Sequence, residues 1–346
     1  MAERTLRYVR THPLALVLAL AALVALIAAP SFLPTYYVSA ATRIVIMGTF
    51  AVAFNLVFGL GGMPSLGHAA FFGTGGYVVA LGLTRWEWGF WTVIGVVLLG
   101  GVLLGLLFGL LSQRLSGIYL LLMTLALAQA VWGLAFQMVD VTGGDTGISG
   151  VSRDTIPFPV DDRDTFHYFA LAVCLVIVAL LWGFARSPVG RAIDGMRASS
   201  TRMSALGYNI GAYKVCAFLV SGVASALTGA LFAYQQGFVG VETLDWTTSA
   251  TVLLAAIIGG ARHFLGPALG MGLLIVAETV LSDYTDRWTA VLGLLYIITI
   301  LVLPEGVLGV NRRFRRRKPG GDTVEERAEA ELSTMESEVA RSSTHG

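Results

Sequence analysis

Residues 89–111 read GFWTVIGVVLLGGVLLGLLFGLL and carry no charged side chain. A helix of about 20 apolar residues crosses the hydrocarbon core of a bilayer, so this stretch predicts a transmembrane helix. Gly101, Gly105 and Gly109 are spaced four residues apart within it. This spacing puts the three glycines on one helix face, where they predict close approach of a second helix backbone.

The composition of the whole chain agrees with a membrane protein. Of its 346 residues, 55% are hydrophobic and 13% are charged, and the mean hydropathy is +0.74. A soluble globular domain has about 25% charged residues, so this composition excludes an ordinary soluble domain. The net charge of +1 gives no sign of nucleic-acid binding, and none is expected. Cys174 and Cys216 lie within apolar runs, which is typical of packing rather than of a disulfide or a metal site.

Apolar segments recur along the chain and predict an all-α fold. We expect a polytopic membrane helix bundle of about ten transmembrane helices. Several segments are shorter than about 20 residues, so some helices are expected to be broken or re-entrant. The segments are 14–33, 41–60, 66–83, 89–111, 117–139, 166–185, 212–235, 247–260, 266–281 and 288–303.

Basic residues predict the orientation of these helices, because loops rich in Lys and Arg stay in the cytoplasm. Three arginines precede segment 14–33, which lacks a clear cleavage site and is interpreted as an uncleaved first helix. Counting ten crossings then places both termini and the arginine-rich loop 186–202 in the cytoplasm, and the acidic connection 140–164 outside. We predict a transmembrane domain at 1–310 and a charged cytoplasmic tail without stable structure at 311–346.

The chain lacks the motifs of an energy-converting or hydrolytic enzyme. There is no Gly-Lys-Ser/Thr phosphate loop, no His-Glu-x-x-His and no Cys-x-x-Cys. The sequence therefore predicts no catalytic, cofactor-binding or metal site. His68 and Glu278 are the candidates for a proton path within the spans. His68 is interpreted as hydrogen-bonded inside a broken helix and Glu278 as facing water, which disfavours an ion-coupled carrier.

Two further segments have features that point to function. Glycines cluster around Pro64 between positions 59 and 76, which is typical either of a discontinuous helix along a solute path or of tight helix packing. Ser187-Pro188 is a helix start, and Gly207 is placed to end that helix. The amphipathic helix between them fits either a groove on a partner protein or the lipid surface.

Five motifs carry a family resemblance. They are SPVGRA at 187–192, GGMPSLGHAAFFG at 61–73, LSGIY at 115–119, TGGDTGI at 142–148 and GGARHFLGP at 259–267. In this order and spacing, from about residue 43 to 310, the sequence resembles the LivM-type permeases of branched-chain amino acid ABC importers.

The resemblance implies a permease subunit of the bacterial or archaeal plasma membrane that moves branched-chain or related hydrophobic amino acids. Its implied partners are a second homologous permease chain, two cytoplasmic ABC ATPase subunits, an extracytoplasmic solute-binding protein and membrane lipid. Permeases for urea, short amides or aromatic acids share this pattern and remain an alternative. An ion-coupled secondary transporter, and a structural or enzymatic membrane protein, are alternatives of other classes.

Within this interpretation the helix from Pro188 to Leu206 is expected to couple the permease to its ATPases. Gly190 would permit close approach, Arg191 and Arg197 would pair with acidic groups, and Met196 and Met203 would pack in the ATPase groove. The translocation path is expected to use sparse polar groups from broken or closely packed helices. The candidates are Ser65, His68 and Gln129, together with Asn55, Thr74, Thr124, Gln235 and Gln236.

Overall fold

A computed structural model describes residues 13–284 apart from 33 and 161, together with 290, 293–294 and 306–307. The described part is almost entirely helical. Its helices are α1 (Pro13–Phe32), α2 (Thr35–Asn55), α3 (His68–Thr84), α4 (Phe90–Ser112), α5 (Gly117–Gln137), α6 (Val139–Thr142), α7 (Arg163–Arg186), α8 (Pro188–Ala198), α9 (Ser200–Ala205), α10 (Ile210–Gln236), α11 (Trp246–Gly259) and α12 (Gly266–Tyr284). Strands β1 (Ile148–Ser149) and β2 (Phe238–Val239) pair antiparallel, with Ile148 opposite Val239.

The predicted apolar segments correspond closely to these helices, which confirms the all-α fold. Nine of the ten segments lie on α1–α5, α7, α10, α11 and α12. The tenth, 288–303, and the tail 311–346 lie almost wholly outside the described residues. Five helices are long and apolar enough to cross a membrane by length and composition: α2 with its extension to Leu60, α4, α5, α7 and α10. Helices α11 and α12 are apolar but shorter.

Helices α2 and α10 form the centre of the bundle, and α4, α5 and α7 lie around them. The spans of α2 and α10 are mostly buried, whereas those of α4, α5 and α7 are mostly exposed. Phe50, Phe54 and Phe218 on the central helices are completely buried. The outward side chains of the peripheral helices are mostly Leu, Val, Trp and Phe, as expected for helices that face lipid or another membrane protein.

The glycine ridge of α4 packs against α10, as the four-residue spacing predicts. A Cβ atom added at Gly101, Gly105 or Gly109 would lie 2.8–2.9 Å from a Cα atom of α10. Hydrogen at these positions therefore lets the two backbones touch. Gly266 and Gly270, also four residues apart, allow the same close approach between α12 and α11, where a Cβ at Gly270 would lie 2.0 Å from the carbonyl oxygen of Ala255.

The glycine-rich segment after α2 is a genuine helix break. Helix α2 runs into a π-helical turn at Leu56–Leu60, and residues 61–67 then form no regular structure before α3 begins at His68. Gly62 has a φ of +66°, a conformation that glycine adopts without strain. The same segment also packs tightly, because a Cβ at Gly75 would lie 1.9 Å from the carbonyl oxygen of Ala226. The segment 61–67 is therefore a helix break and α3 is closely packed, while a place of the break along a solute path stays a prediction.

Candidate functional site

His68 joins three helices at the start of α3. Its Nδ1 lies 3.1 Å from Ser65 Oγ, and its Nε2 lies 2.9 Å from Ser221 Oγ on α10. Ser221 Oγ in turn donates to the carbonyl oxygen of Ala53 on α2, at 2.6 Å. The imidazole and both serines are fully buried. The broken helix is thereby fixed to the centre of the bundle by polar contacts.

The direction of these hydrogen bonds follows from the number of protons available. A serine hydroxyl has one proton, and Ser221 gives its proton to Ala53. Ser221 must therefore accept from His68, so Nε2 carries a proton. Ser65 can then donate to Nδ1 of a neutral imidazole. With both nitrogens engaged inside the protein, His68 serves as a structural link, in agreement with its interpretation from sequence.

The amphipathic segment after α7 begins as predicted. Ser187 caps α8 by accepting from the Gly190 backbone N–H, at 3.1 Å, and Pro188 occupies the first helical position. Its end is also as predicted: Gly207 has a φ of +86°. The Tyr208 N–H donates to the carbonyl oxygen of Met203, and the Gly207 N–H donates to that of Ser204, which forms a Schellman motif.

The segment is not one continuous helix, however, which corrects the expectation of a single helix from Pro188 to Leu206. Ser199 is extended, with φ −167° and ψ 104°, and separates α8 from α9. Its Oγ accepts from the Arg202 backbone N–H, at 3.3 Å, and caps α9. Two adjacent serines after Ala198 were the available signal for this break, because serine favours the cap over the helix interior.

The apolar face of α8 packs on the protein's own core. Met196 is 5% exposed and clusters with Val57, Met63 and Phe218. The expectation that Met196 fills a partner's groove is therefore wrong for this structure. Gly190 likewise permits an internal approach, since a Cβ there would lie 2.4 Å from the carbonyl oxygen of Phe184 at the end of α7.

Arg197 connects α8 to the broken end of α2, a role that the sequence did not indicate. Its Nη1 donates to the carbonyl oxygen of Gly59 in the π-helical turn. A Cβ at Gly62 would lie 2.7 Å from its Cγ, so the side-chain stem lies against this glycine. Burial lowers the pKa of Arg197, as does repulsion from Arg262 in the turn between α11 and α12, while Asp194 raises it. Arg197 thus contacts the backbone of its own chain, while its side chain remains exposed.

The outer side of α8 and α9 remains available to another protein. Arg191 is exposed, and α9 has no buried residue. Met203 is half-buried and packs over Gly195 of α8, where a Cβ would lie 3.1 Å from its Sδ. Arg191, Arg197 and the α9 surface are therefore exposed parts of the predicted coupling segment that a partner can reach.

At the opposite end of α10, residues 138–160 and 237–245 form an ordered layer, here called the distal lobe. The pairing of β1 with β2 joins its two halves. Gly143 and Gly147 have φ values of +77° and +64°, which explains the glycines of the TGGDTGI motif. A Cβ at Gly143 would also lie 2.2 Å from the carbonyl oxygen of Gly147.

Arg153 fastens the distal lobe to α10. Its guanidinium donates to the carbonyl oxygens of Tyr234 and Gln235, at 3.0 and 3.2 Å, and lies 4.1 Å from the centre of the Phe166 ring. These carbonyl groups belong to the last turn of α10, where backbone oxygens lack helical partners. The acidic connection is therefore a structured surface and not a flexible loop.

The remaining polar candidates fall into three environments. Asn55 Nδ2 donates to the carbonyl oxygen of His263, at 3.3 Å, and Thr124 Oγ1 accepts from the Leu66 N–H, at 3.1 Å. These two hold the broken segment in place. Gln129 and Thr74 are half-buried on α5 and α3. Gln235 Nε2 donates to the carbonyl oxygen of Ser39, and Gln236 lines a cleft beside the distal lobe.

Glu278 does not simply face water, as the sequence suggested. It accepts from Arg43 Nη1 of α2, at 3.1 Å, and both side chains are partly buried, at 29% and 38% exposed. Arg43 was not among the candidates, because a single arginine within an apolar segment gives no indication of its partner. The pair joins α12 to α2 across 235 positions of sequence.

Comparisons with known proteins identify a family for this sequence. Residues 36–303 match the family model described as the branched-chain amino acid transport system / permease component. The high-affinity branched-chain amino acid transport system permease protein LivM of Salmonella typhimurium is 29% identical over 326 residues, covering 87% of this chain and 76% of the relative. LivM of Escherichia coli is 29% identical over 325 residues, with the same coverage.

A more distant similarity extends to another solute. The autoinducer 2 import system permease protein LsrC of Yersinia pestis is 25% identical over 236 residues, covering 65% of this chain and 67% of the relative. No solved structure matches this chain. Because the family model spans well over half of the chain, the protein belongs to the family of branched-chain amino acid transport system permease components.

Proposed function

We propose that this chain forms part of the translocation path of an ABC importer for branched-chain or related hydrophobic amino acids. The LivM relatives support the solute, and the lack of a phosphate loop fits a permease that is driven by separate ATPase subunits. The complete importer would contain a second permease chain, two ATPases at α8 and α9, and a solute-binding protein at the distal lobe. In the membrane this arrangement corresponds to about ten spans with both termini in the cytoplasm.

The link between Arg197 and Gly59 is the observation that carries the mechanism. Helix α8 is the natural place for an ATPase to push, since its outer side is exposed while its inner side is buried. Arg197 transmits that movement to the π-helical turn, where the backbone is already irregular. Helix breaks are the points at which membrane helices bend. Displacement of α8 would therefore change the angle between α2 and the segment 61–67.

The exposure of the candidate side chains supports where the translocation path would run. Ser65 and His68 are buried, so they would line a passage only after the segment around them moves. Gln129 is half-buried on α5, whose side chains are mostly exposed. A polar side chain on such a helix fits contact with the second permease chain or with the solute better than contact with lipid.

Two alternatives can be separated from this proposal by measurement. A permease for urea, short amides or aromatic acids would use the same fold and partners. The similarity to LsrC, whose name gives a different solute, means that the fold alone does not identify the solute. An ion-coupled carrier is disfavoured because both nitrogens of His68 are engaged and Glu278 is paired with Arg43.

The test is uptake by vesicles that contain the whole importer with ATP inside. We expect ATP-dependent uptake of leucine, isoleucine or valine that requires the binding protein, and no uptake of urea or acetamide. Uptake of urea or acetamide without uptake of the amino acids would show that the proposed solute is wrong. Uptake that depends on an ion gradient without ATP would refute the importer.

A variant tests the proposed coupling in the same vesicles. Arg197→Gln should leave ATPase subunits bound but reduce solute-stimulated hydrolysis and uptake together. Arg114→Gln, an exposed arginine between α4 and α5 and outside α8 and α9, is the matched control for loss of one positive charge. Equal uptake by the two variants would show that the contact with Gly59 transmits no movement.

A further inference from the structure

A cleft of about 340 Å³ opens beside the distal lobe. Side chains from α2, α3, α10 and α11 line it together with residues 238–243. Helix α10 begins shortly after α9 and ends at this cleft. Its 27 residues therefore place α9 and the cleft about 40 Å apart. The volume lies at the lower end of the range of about 300–1,000 Å³ that is typical of small-molecule pockets.

The deep part of the cleft is apolar. Met47 is 9% exposed and Phe72 is 2% exposed, and Phe232 packs against Phe72 with ring centres 5.3 Å apart. Phe50 supports Phe72 from behind, at 4.6 Å between ring centres. A branched aliphatic side chain placed here would be removed from water, which is favourable.

One side of the rim is positively charged. Arg43 projects into the cleft while its Nη1 donates to Glu278. A guanidinium group has five N–H donors, and no other hydrogen bond from Arg43 occurs among the described residues. Glu278 therefore orients the group and leaves donors that match the geometry of a carboxylate.

Other residues of the rim accept hydrogen bonds. Glu242 is exposed, and within the described part of the chain its carboxylate has no ion pair. Thr243 Oγ1 donates to the carbonyl oxygen of Gly240, and Thr248 Oγ1 donates to that of Glu242. With their protons used on the backbone, both hydroxyl groups present lone pairs, which suit an ammonium group.

We propose that this distal cleft is a transient binding site for a zwitterionic amino acid with an apolar side chain. Arg43 receives the carboxylate, Glu242 and the two threonines receive the ammonium group, and Met47 and Phe72 contact the side chain. The lining of the cleft holds one cationic side chain, Arg43, and one anionic side chain, Glu242, so each charge of a zwitterion finds a partner, whereas urea has no charge to match either. This inference rests on the proposed function and gives the solute a first contact after it leaves the binding protein.

Cysteine protection tests the site by binding rather than by transport. Gln236→Cys, an exposed position that lines the cleft without a role in the proposed binding, is introduced into the assembled importer with Cys174 and Cys216 replaced and is labelled with a water-soluble thiol reagent. We expect millimolar L-leucine to slow labelling by about tenfold, because the bound ligand covers the thiol. A tenfold effect corresponds to a ligand concentration of about ten times the Kd. Leucinamide, which lacks the carboxylate, and 4-methylpentanoate, which lacks the ammonium group, should protect far less. Thr247→Cys, which does not line the cleft, should be unaffected.

Removal of the positive charge completes the test. The double variant Arg43→Gln with Glu278→Gln removes both members of the ion pair and leaves no unpaired charge behind. It should lose protection by L-leucine at Gln236→Cys. Equal labelling with and without L-leucine, or equal protection by all three compounds, would overturn the site. Uptake by wild-type vesicles reports separately on the importer function, so failure of the cleft and failure of the cargo assignment are distinguishable.

Discussion

Replacement of Gly105 by alanine tests the close backbone contact between α4 and α10. The new Cβ would lie 2.8 Å from Leu219 Cα and 3.2 Å from the Phe218 carbonyl oxygen. Carbon atoms pack at about 3.5–4.0 Å, so α4 and α10 must separate locally by about 0.7–1.2 Å. Both close atoms belong to the backbone, so no side-chain rotation can relieve the contact.

The expected cost follows from this overlap. Excess volume in a well-packed interior destabilises by about 1–3 kcal/mol. Alanine also favours helix over glycine by about 1 kcal/mol, which would partly mask the effect. Gly95→Ala supplies the correction, because Gly95 lies on the same helix with no atom within 4 Å of the new Cβ. The difference between the two variants then measures packing alone, and we expect about 1–3 kcal/mol.

Reversible unfolding of the purified protein by SDS in mild detergent gives the two free energies of unfolding, followed by circular dichroism. The triple variant at Gly101, Gly105 and Gly109 should cost less than three times the single variant, because one displacement of α4 relieves all three contacts. Equal unfolding of Gly105→Ala and Gly95→Ala would refute the close contact. Strict additivity would refute a shared displacement.

Three more perturbations address the polar contacts. Ser221→Ala removes the acceptor of the His68 imidazole and should cost about 1–2 kcal/mol in the same assay, whereas Ser282→Ala, which removes an exposed hydroxyl, should cost little. Arg153→Gln should release the distal lobe from α10, seen as faster hydrogen exchange in the lobe but not in α3; unchanged exchange would assign the arginine no anchoring role. Asparagine in place of the three aspartates at 161–164 should weaken the salt dependence of stimulation by the binding protein, and an unchanged dependence at all ionic strengths would exclude docking there.

Local patterns in the sequence were enough to define the helices and several of their contacts. Runs of apolar residues predict membrane helices because an unpaired backbone is costly in lipid. The spacing of Gly101, Gly105 and Gly109 predicts a packed face because four residues make about one helical turn. Ser187 and Gly207 marked the ends of the amphipathic segment through local capping rules.

The division of that segment at Ser199 also has a local signal, but that signal is ambiguous. Ser199 can continue a helix or cap a new one, and residues on both sides favour helix. Burial decided the outcome. Helix α8 places Ile193 and Met196 in the core, while α9 has no buried residue.

Only the tertiary structure could assign partners to the polar residues. His68 bonds Ser221 across 153 positions, Arg197 bonds Gly59 across 138, and Arg43 bonds Glu278 across 235. Hydropathy and spacing describe one helix at a time, so they identify a buried polar group without naming what satisfies it. The partner depends on which helices are neighbours and on their rotation, because a polar group inside the bundle is stable only where a second helix presents its complement.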